Sequence, residues 1–157
     1  MQIGIIGLGK LGLPLALCLA EVGYQVIGFD KNQVIVDQLN KGISHIEGVE
    51  NSVITGLISE GKYRATALGR DIQGSDIVVI AVPTPLDDKR QPDLSYIDAA
   101  CKVIGENLDS PALIINESTS YPGTIRNYIK PSIEKYSRVS VLHEYAISPE
   151  RVDPGRS

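Results

Sequence analysis

A glycine turn wedged between an apolar strand and a helix constrains this chain more than any other feature. Residues Gln2-Ile-Gly-Ile-Ile-Gly7-Leu-Gly9-Lys10-Leu11-Gly12 spell G-x-G-x-x-G directly after a strand pattern and before a helical one. In that context the three glycines have separate physical tasks. Gly7 makes the tight turn, Gly9 lets backbone approach a pyrophosphate, and Gly12 lets the first helix pack closely on its strand. The phosphates would then face a helix N-terminus, whose unpaired N–H groups and dipole favour negative charge without any basic side chain. Lys10 is the one cation in the turn.

The next strand pattern, Gln25-Val-Ile-Gly-Phe-Asp30, ends in a carboxylate. Asp30 lies about 20 residues past the glycines, where a dinucleotide fold places the acceptor for a ribose 2′-hydroxyl. A carboxylate there favours NAD over NADP, because it repels a 2′-phosphate, and only Lys31 and Lys41 are near enough in sequence to compensate. The plain alternative is a structural turn followed by a helix-capping Asp.

Composition sets the outer bounds. The 157 residues are 43% hydrophobic, the size of one globular domain with a sizeable core. The formal charge of −4, without a Lys/Arg run, provides no electrostatic footprint for nucleic acid or anionic membrane. No apolar run reaches the ~18 residues of a membrane helix, and a strand pattern begins at once without a leader-like segment, so a cytoplasmic location is expected. Cys18 and Cys101 fall in helical stripes (Leu11, Leu15, Cys18, Val22; Ile97, Cys101, Ile104, Leu108) and read as small buried hydrophobes. His45 and His143 lack metal-ligand spacing, and no metal is implied.

Strand patterns fall at 2–6, 25–30, 63–66, 76–81, 111–116 and 139–147, with helices at 10–22, 31–40, 51–60, 94–107 and 122–136 and a short turn at 69–74. Continuous apolar strands such as 77–81 and 112–115 indicate a parallel sheet covered on both faces. The expected fold is α/β: a single doubly wound, Rossmann-type parallel sheet of order 3-2-1-4-5-6 with helices on both faces. Asp93 is placed to cap the following helix, Pro122 suits a first helical turn, and Pro131 should kink or restart the last helix. The polar stretch 87–92 reads equally as a mobile flap on the ligand side or as a solvated connection.

Three segments follow strand carboxyl ends, which border the ligand crevice in such a sheet. They are Ala81-Val82-Pro-Thr84-Pro85, Asn116-Glu117-Ser118-Thr119 and Ser148-Pro-Glu150-Arg151. The prolines around Thr84 should hold an extended backbone against a flat cofactor. Glu117 and Thr119 precede a helix and have capping as their alternative role.

Taken in order, G-L-G-K-L-G-L-P-L-A, A-V-P-T-P-L, N-E-S-T-S-Y-P-G-T and S-P-E-R-V-D-P-G resemble the NAD-binding domain of the UDP-glucose/GDP-mannose dehydrogenase family over almost the whole chain. The last motif is most similar to that of enzymes oxidising UDP-N-acetylhexosamines, especially UDP-N-acetylglucosamine 6-dehydrogenases; other branches more often read N-P-E-F-L-R-E-G. The resemblance implies a two-step, four-electron oxidation of a sugar C6 alcohol to a carboxylate with two NAD in turn, through a thiohemiacetal and a thioester on a cysteine from a later domain. It implies that Gly7, Gly9, Lys10, Leu11, Gly12, Asp30, Val82, Thr84, Glu117 and Thr119 hold NAD, with Lys31 at the adenosine ribose. By matching position, Thr119 would also hold the catalytic water and Glu150 would do acid/base work.

Family members continue through a linking helix, a central dimerisation region and a second nucleotide-binding domain. Neither Cys18 nor Cys101 stands in the nucleophile's place, so 1–157 is expected to be a truncated cofactor domain that turns over no UDP-sugar alone and forms a homodimer when full length. Two other readings remain: a 3-hydroxyacid-type dehydrogenase domain, and a non-catalytic NAD-binding regulatory module.

Overall fold

Six short apolar strands pair in parallel, and every helix lies on one or other face of the sheet they make. A computed structural model of the chain describes residues 1–86 and 90–149. The strands are β1 (Gln2–Ile6), β2 (Gln25–Phe29), β3 (Tyr63–Thr66), β4 (Ile77–Ile80), β5 (Leu113–Asn116) and β6 (Glu144–Ile147). Their spatial order is β3-β2-β1-β4-β5-β6, as expected from the sequence, and all five pairings are parallel. The order reverses between β1 and β4, which opens a crevice at their carboxyl ends.

Alternation along the strands divides the interior in two. Ile3, Ile5, Val26, Val79 and Ala81 face a core shared with α1 (Gly12–Glu21), α2 (Gln33–Asn40) and α3 (Asn51–Ser59). Ile6, Ile27, Phe29, Val78, Ile80 and Ile114 face a second core under α4 (Ser95–Asn107) and α5 (Lys130–Tyr136). With both faces covered there is no polar face for the central strands to present, which explains their unbroken apolar runs.

Local chemistry accounts for the helix ends. Asn32 caps α2 by accepting the Val34 amide at 3.0 Å. Asp93 accepts the Ser95 amide at 2.9 Å ahead of α4, a bond that holds its carboxyl below the usual range. Pro131 restarts the last helix as expected: the chain makes a wide π-turn over Ile125–Ile129, and α5 begins at Lys130 with the proline in its first turn.

Three expectations need correction. Cys18 is exposed, whereas Cys101 is buried. Helix α1 is apolar nearly all round, and the side that meets the sheet is Leu13, Ala16, Leu17 and Ala20, whose two alanines allow close approach; in the stripe carrying Cys18, Leu11 and Leu15 are half-buried against the core while Cys18 and Val22 are exposed. Pro122 sits in a turn before the helix, because Gly123 at φ +89° is not helical. The last strand is Glu144–Ile147 alone, and Val139 and Leu142 are exposed in the irregular segment leading to it. No helix of the described residues is long and apolar enough to cross a membrane.

Candidate functional site: a crevice at the strand carboxyl ends

The crevice holds two cavities that meet at Gly9. The first, about 310 Å³, is walled by apolar side chains including Phe29, Ile35, Val82 and Val103, with Asp30, Lys31 and Asn32 along one side and Gly7 at its base. The second, about 400 Å³, is lined by Gly9, Lys10 and Leu11 on one side and by Val82, Thr84, Glu117, Ser118 and Thr119 on the other. Gly9, Ala81, Val82 and Pro83 line both.

The glycine turn is built by close contact. Gly7 adopts φ +96°, and a Cβ there would lie 2.7 Å from the Ala81 carbonyl oxygen. A Cβ on Gly12 would run into the Gly7 carbonyl, so α1 can start where it does only from a glycine. Gly12 lies beneath the turn and lines neither cavity. Gly9 differs: nothing stands within 4 Å of the place a Cβ would take. No side chain caps α1; the Leu13 amide turns back to the Gly9 carbonyl at 3.1 Å and residue 14 is a proline, so the amides that remain for a ligand are those of the turn itself, up to Gly12.

Asp30 is held rigidly at the far end. Its Oδ2 accepts the Leu8 amide at 3.0 Å and its Oδ1 accepts the Asn32 amide at 2.9 Å. One carboxylate therefore ties the glycine turn to the start of α2 and still borders the cavity.

The opposite wall depends on a residue that the sequence does not single out. Ser118, 3% exposed, accepts the Val82 amide at 3.0 Å and donates to the Val82 carbonyl at 2.8 Å. That hydroxyl stitches the loop after β4 to the loop after β5, and its neighbours Glu117 and Thr119 face the cavity. Asn116 braces the turn from below, donating to the Ser118 carbonyl at 3.0 Å and the Ser120 hydroxyl at 3.1 Å. No spacing rule reveals the Ser118 role, because the stitch spans 36 residues.

The expected residues thus divide clearly. Gly7, Asp30 and Lys31 border the first cavity; Lys10, Leu11, Thr84, Glu117 and Thr119 border the second; Gly9 and Val82 border both. Glu150 and residues 87–89 lie outside the described residues. The flanks of the 87–92 stretch are joined by a Leu86–Pro92 bridge and an Asp93 amide donating to the Pro85 carbonyl at 2.8 Å. Phe29, Asn32 and Tyr96 line the first cavity without having been expected there. Among the described residues, no group of three His, Cys, Asp or Glu side chains is placed to hold a metal ion.

An apolar slot with a fixed carboxylate at one end, an open glycine midway and an uncapped helix start fits an extended dinucleotide: a flat base in the slot, ribose hydroxyls on Asp30 and a pyrophosphate over Gly9. Comparison with known proteins agrees. The model of the UDP-glucose/GDP-mannose dehydrogenase family, NAD binding domain, matches residues 1–157. The chain belongs to this family. It is 38% identical to a UDP-N-acetyl-D-mannosamine dehydrogenase of Pyrococcus horikoshii over 99% of this chain and 38% of that protein. It is 33% identical to a UDP-N-acetyl-D-glucosamine 6-dehydrogenase of Pseudomonas aeruginosa, over 99% of this chain and 36% of the relative. Among solved structures, a GDP-mannose dehydrogenase from Pseudomonas aeruginosa superposes with a TM-score of 0.89 at 31% identity, covering 97% of this chain and 36% of that one. The chain therefore spans well under half the length of these family members, and what it carries is the family's NAD-binding domain. Family membership sets the 3-hydroxyacid reading aside.

Proposed function

We propose that this chain is the cofactor-binding unit of an enzyme that oxidises the C6 alcohol of a UDP-N-acetylhexosamine, UDP-N-acetylglucosamine or UDP-N-acetylmannosamine, to the uronate. The observation that carries the reading is the pair of cavities joined at Gly9, with Asp30 fixed at one end and Glu117 and Thr119 at the other. The choice of sugar is supported by the S-P-E-R-V-D-P-G motif at 148–155 and by relatives named for N-acetylated UDP-sugars.

Bound NAD supplies the acceptor for the hydride that leaves the sugar carbon. The chain's own residues bind and orient. Gly7, Gly9, Lys10 and Leu11, backed by the close packing at Gly12, present backbone and one cation to the pyrophosphate; Asp30 accepts ribose hydroxyls, and Lys31 lines the same cavity. Val82 and Thr84 lay an extended wall along the nicotinamide half. Glu117 accepts hydroxyls there, Thr119 holds a water at the reacting carbon, and Glu150 manages its proton. Catalysis also needs the nucleophilic cysteine of a further domain, since exposed Cys18 lines neither cavity, and Cys101 is buried with its thiol pushed up to about 12 by burial first and by Asp98 second. We place the active enzyme in the cytoplasm as a homodimer.

NADH release tests this. The complete gene product, offered UDP-N-acetylglucosamine, UDP-N-acetylmannosamine, UDP-glucose and GDP-mannose with NAD, should yield two NADH per sugar with one N-acetylated UDP-sugar preferred. NAD binding without NADH release from any of the four would leave the non-catalytic module as the better reading.

A further inference from the structure

A cation and an aromatic ring meet across the mouth of the smaller cavity. Lys31 follows Asp30 on the way into α2, and Tyr96 stands in the first turn of α4, on the other side of the crevice. Lys31 Nζ lies 4.9 Å from the centroid of the Tyr96 ring, and both side chains line the cavity that Asp30 borders. A ring face carries negative charge density and attracts an ammonium at this separation. Among the described residues Lys31 forms no ion pair, so Asp30 does not hold the ammonium. The two Asp30 oxygens are engaged by the Leu8 and Asn32 amides instead.

Charge at this end of the crevice decides which dinucleotide fits. A 2′-phosphate brought to Asp30 meets a carboxylate and needs a cation to offset it. Lys31 is the one basic side chain among the residues lining this cavity. We propose that Tyr96 is a cofactor-selectivity residue: its ring holds the Lys31 ammonium across the crevice, away from the ribose site, so a 2′-phosphate faces Asp30 uncompensated. Selectivity against the phosphorylated cofactor then has two parts, the repulsion by Asp30 and the withholding of Lys31. The proposal rests on the dinucleotide reading above and adds to it a residue that touches the cation rather than the phosphate.

Dissociation constants for NADH and NADPH, measured by fluorescence titration of the complete gene product at low ionic strength, test it. Tyr96→Leu keeps an apolar wall and frees the lysine. It should shift the NADPH-to-NADH affinity ratio toward NADPH by roughly two- to fivefold, the factor carried by a cation–π contact near the surface. Tyr96→Phe keeps the ring and should leave the ratio unchanged, and adding Lys31→Gln to Tyr96→Leu should abolish the shift. Lys31→Gln alone should leave the ratio as it is, because the ammonium is already withheld. An unchanged ratio in Tyr96→Leu, a shift that survives Lys31→Gln, or a single Lys31→Gln that sharpens the preference for NADH overturns the proposal. If the complete wild-type protein binds neither dinucleotide, the cofactor reading itself fails and takes the proposal with it.

Discussion

The two walls of the crevice are built by different means. The wall from β1 and β2 rests on backbone geometry and one fixed carboxylate: a positive-φ glycine, a helix start that only glycine permits, and Asp30 accepting two amides. The wall from β4 and β5 is made by a side chain, the Ser118 hydroxyl, which engages both the amide and the carbonyl of Val82. The first wall is rigid because its geometry is sterically enforced. The second is held by hydrogen bonds, those of Ser118 to Val82 and of Asn116 to the Ser118 carbonyl and the Ser120 hydroxyl, with no comparable steric lock.

Substitutions can break this contrast. The largest effect is expected at the first wall, where Gly12→Ala drives a methyl group into the Gly7 carbonyl. It should cost about 3 kcal/mol in urea unfolding and abolish NADH binding. Asp30→Ala removes the acceptor of two amides and, on the proposed reading, of the ribose hydroxyls, and NADH affinity measured by titration should fall about 10- to 100-fold. Ser118→Ala at the second wall leaves the Val82 amide without its acceptor and should destabilise by about 1–2 kcal/mol. If Ser118→Ala costs as much as Gly12→Ala, the distinction between the walls is wrong.

The smallest effects concern the two thiols, one on a helix of each core. Exposed Cys18 should react with a disulfide reagent in the native chain, and Cys101 only after unfolding. Burial pushes both the Cys101 thiol and the Tyr145 phenol up to about 12. Each is raised in the folded state, so each contributes stability that is complete below its unfolded pKa and is lost as pH rises toward the folded value. The melting-temperature advantage of the wild type over Cys101→Ala should hold constant from about pH 6 to 8 and shrink above about pH 9.

The first wall was legible in the sequence because its rules are local. Glycines at fixed spacing and an Asp at the end of the next strand are statements about neighbours along the chain, and the strand order follows from the dinucleotide fold that this fingerprint marks. The second wall was legible only as loops in the right place; the hydroxyl that joins them and the Lys31–Tyr96 contact pair residues far apart in sequence. Cys18 was misplaced for a related reason. Helix α1 carries two apolar stripes, and periodicity alone does not say which one meets the sheet; the small Ala16 and Ala20 do. The long strand pattern at 139–147 failed because only Glu144–Ile147 reaches β5 to pair with it.

The point where the walls meet provides the most direct test. Gly9 lines both cavities, and no atom lies within 4 Å of where its side chain would start, so Gly9→Val should fold with the wild-type urea midpoint while its isopropyl group fills the path proposed for the pyrophosphate. Titrated with NADH, the wild-type chain is expected to bind one equivalent and Gly9→Val none. Equal binding by the two would contradict a dinucleotide lying across Gly9.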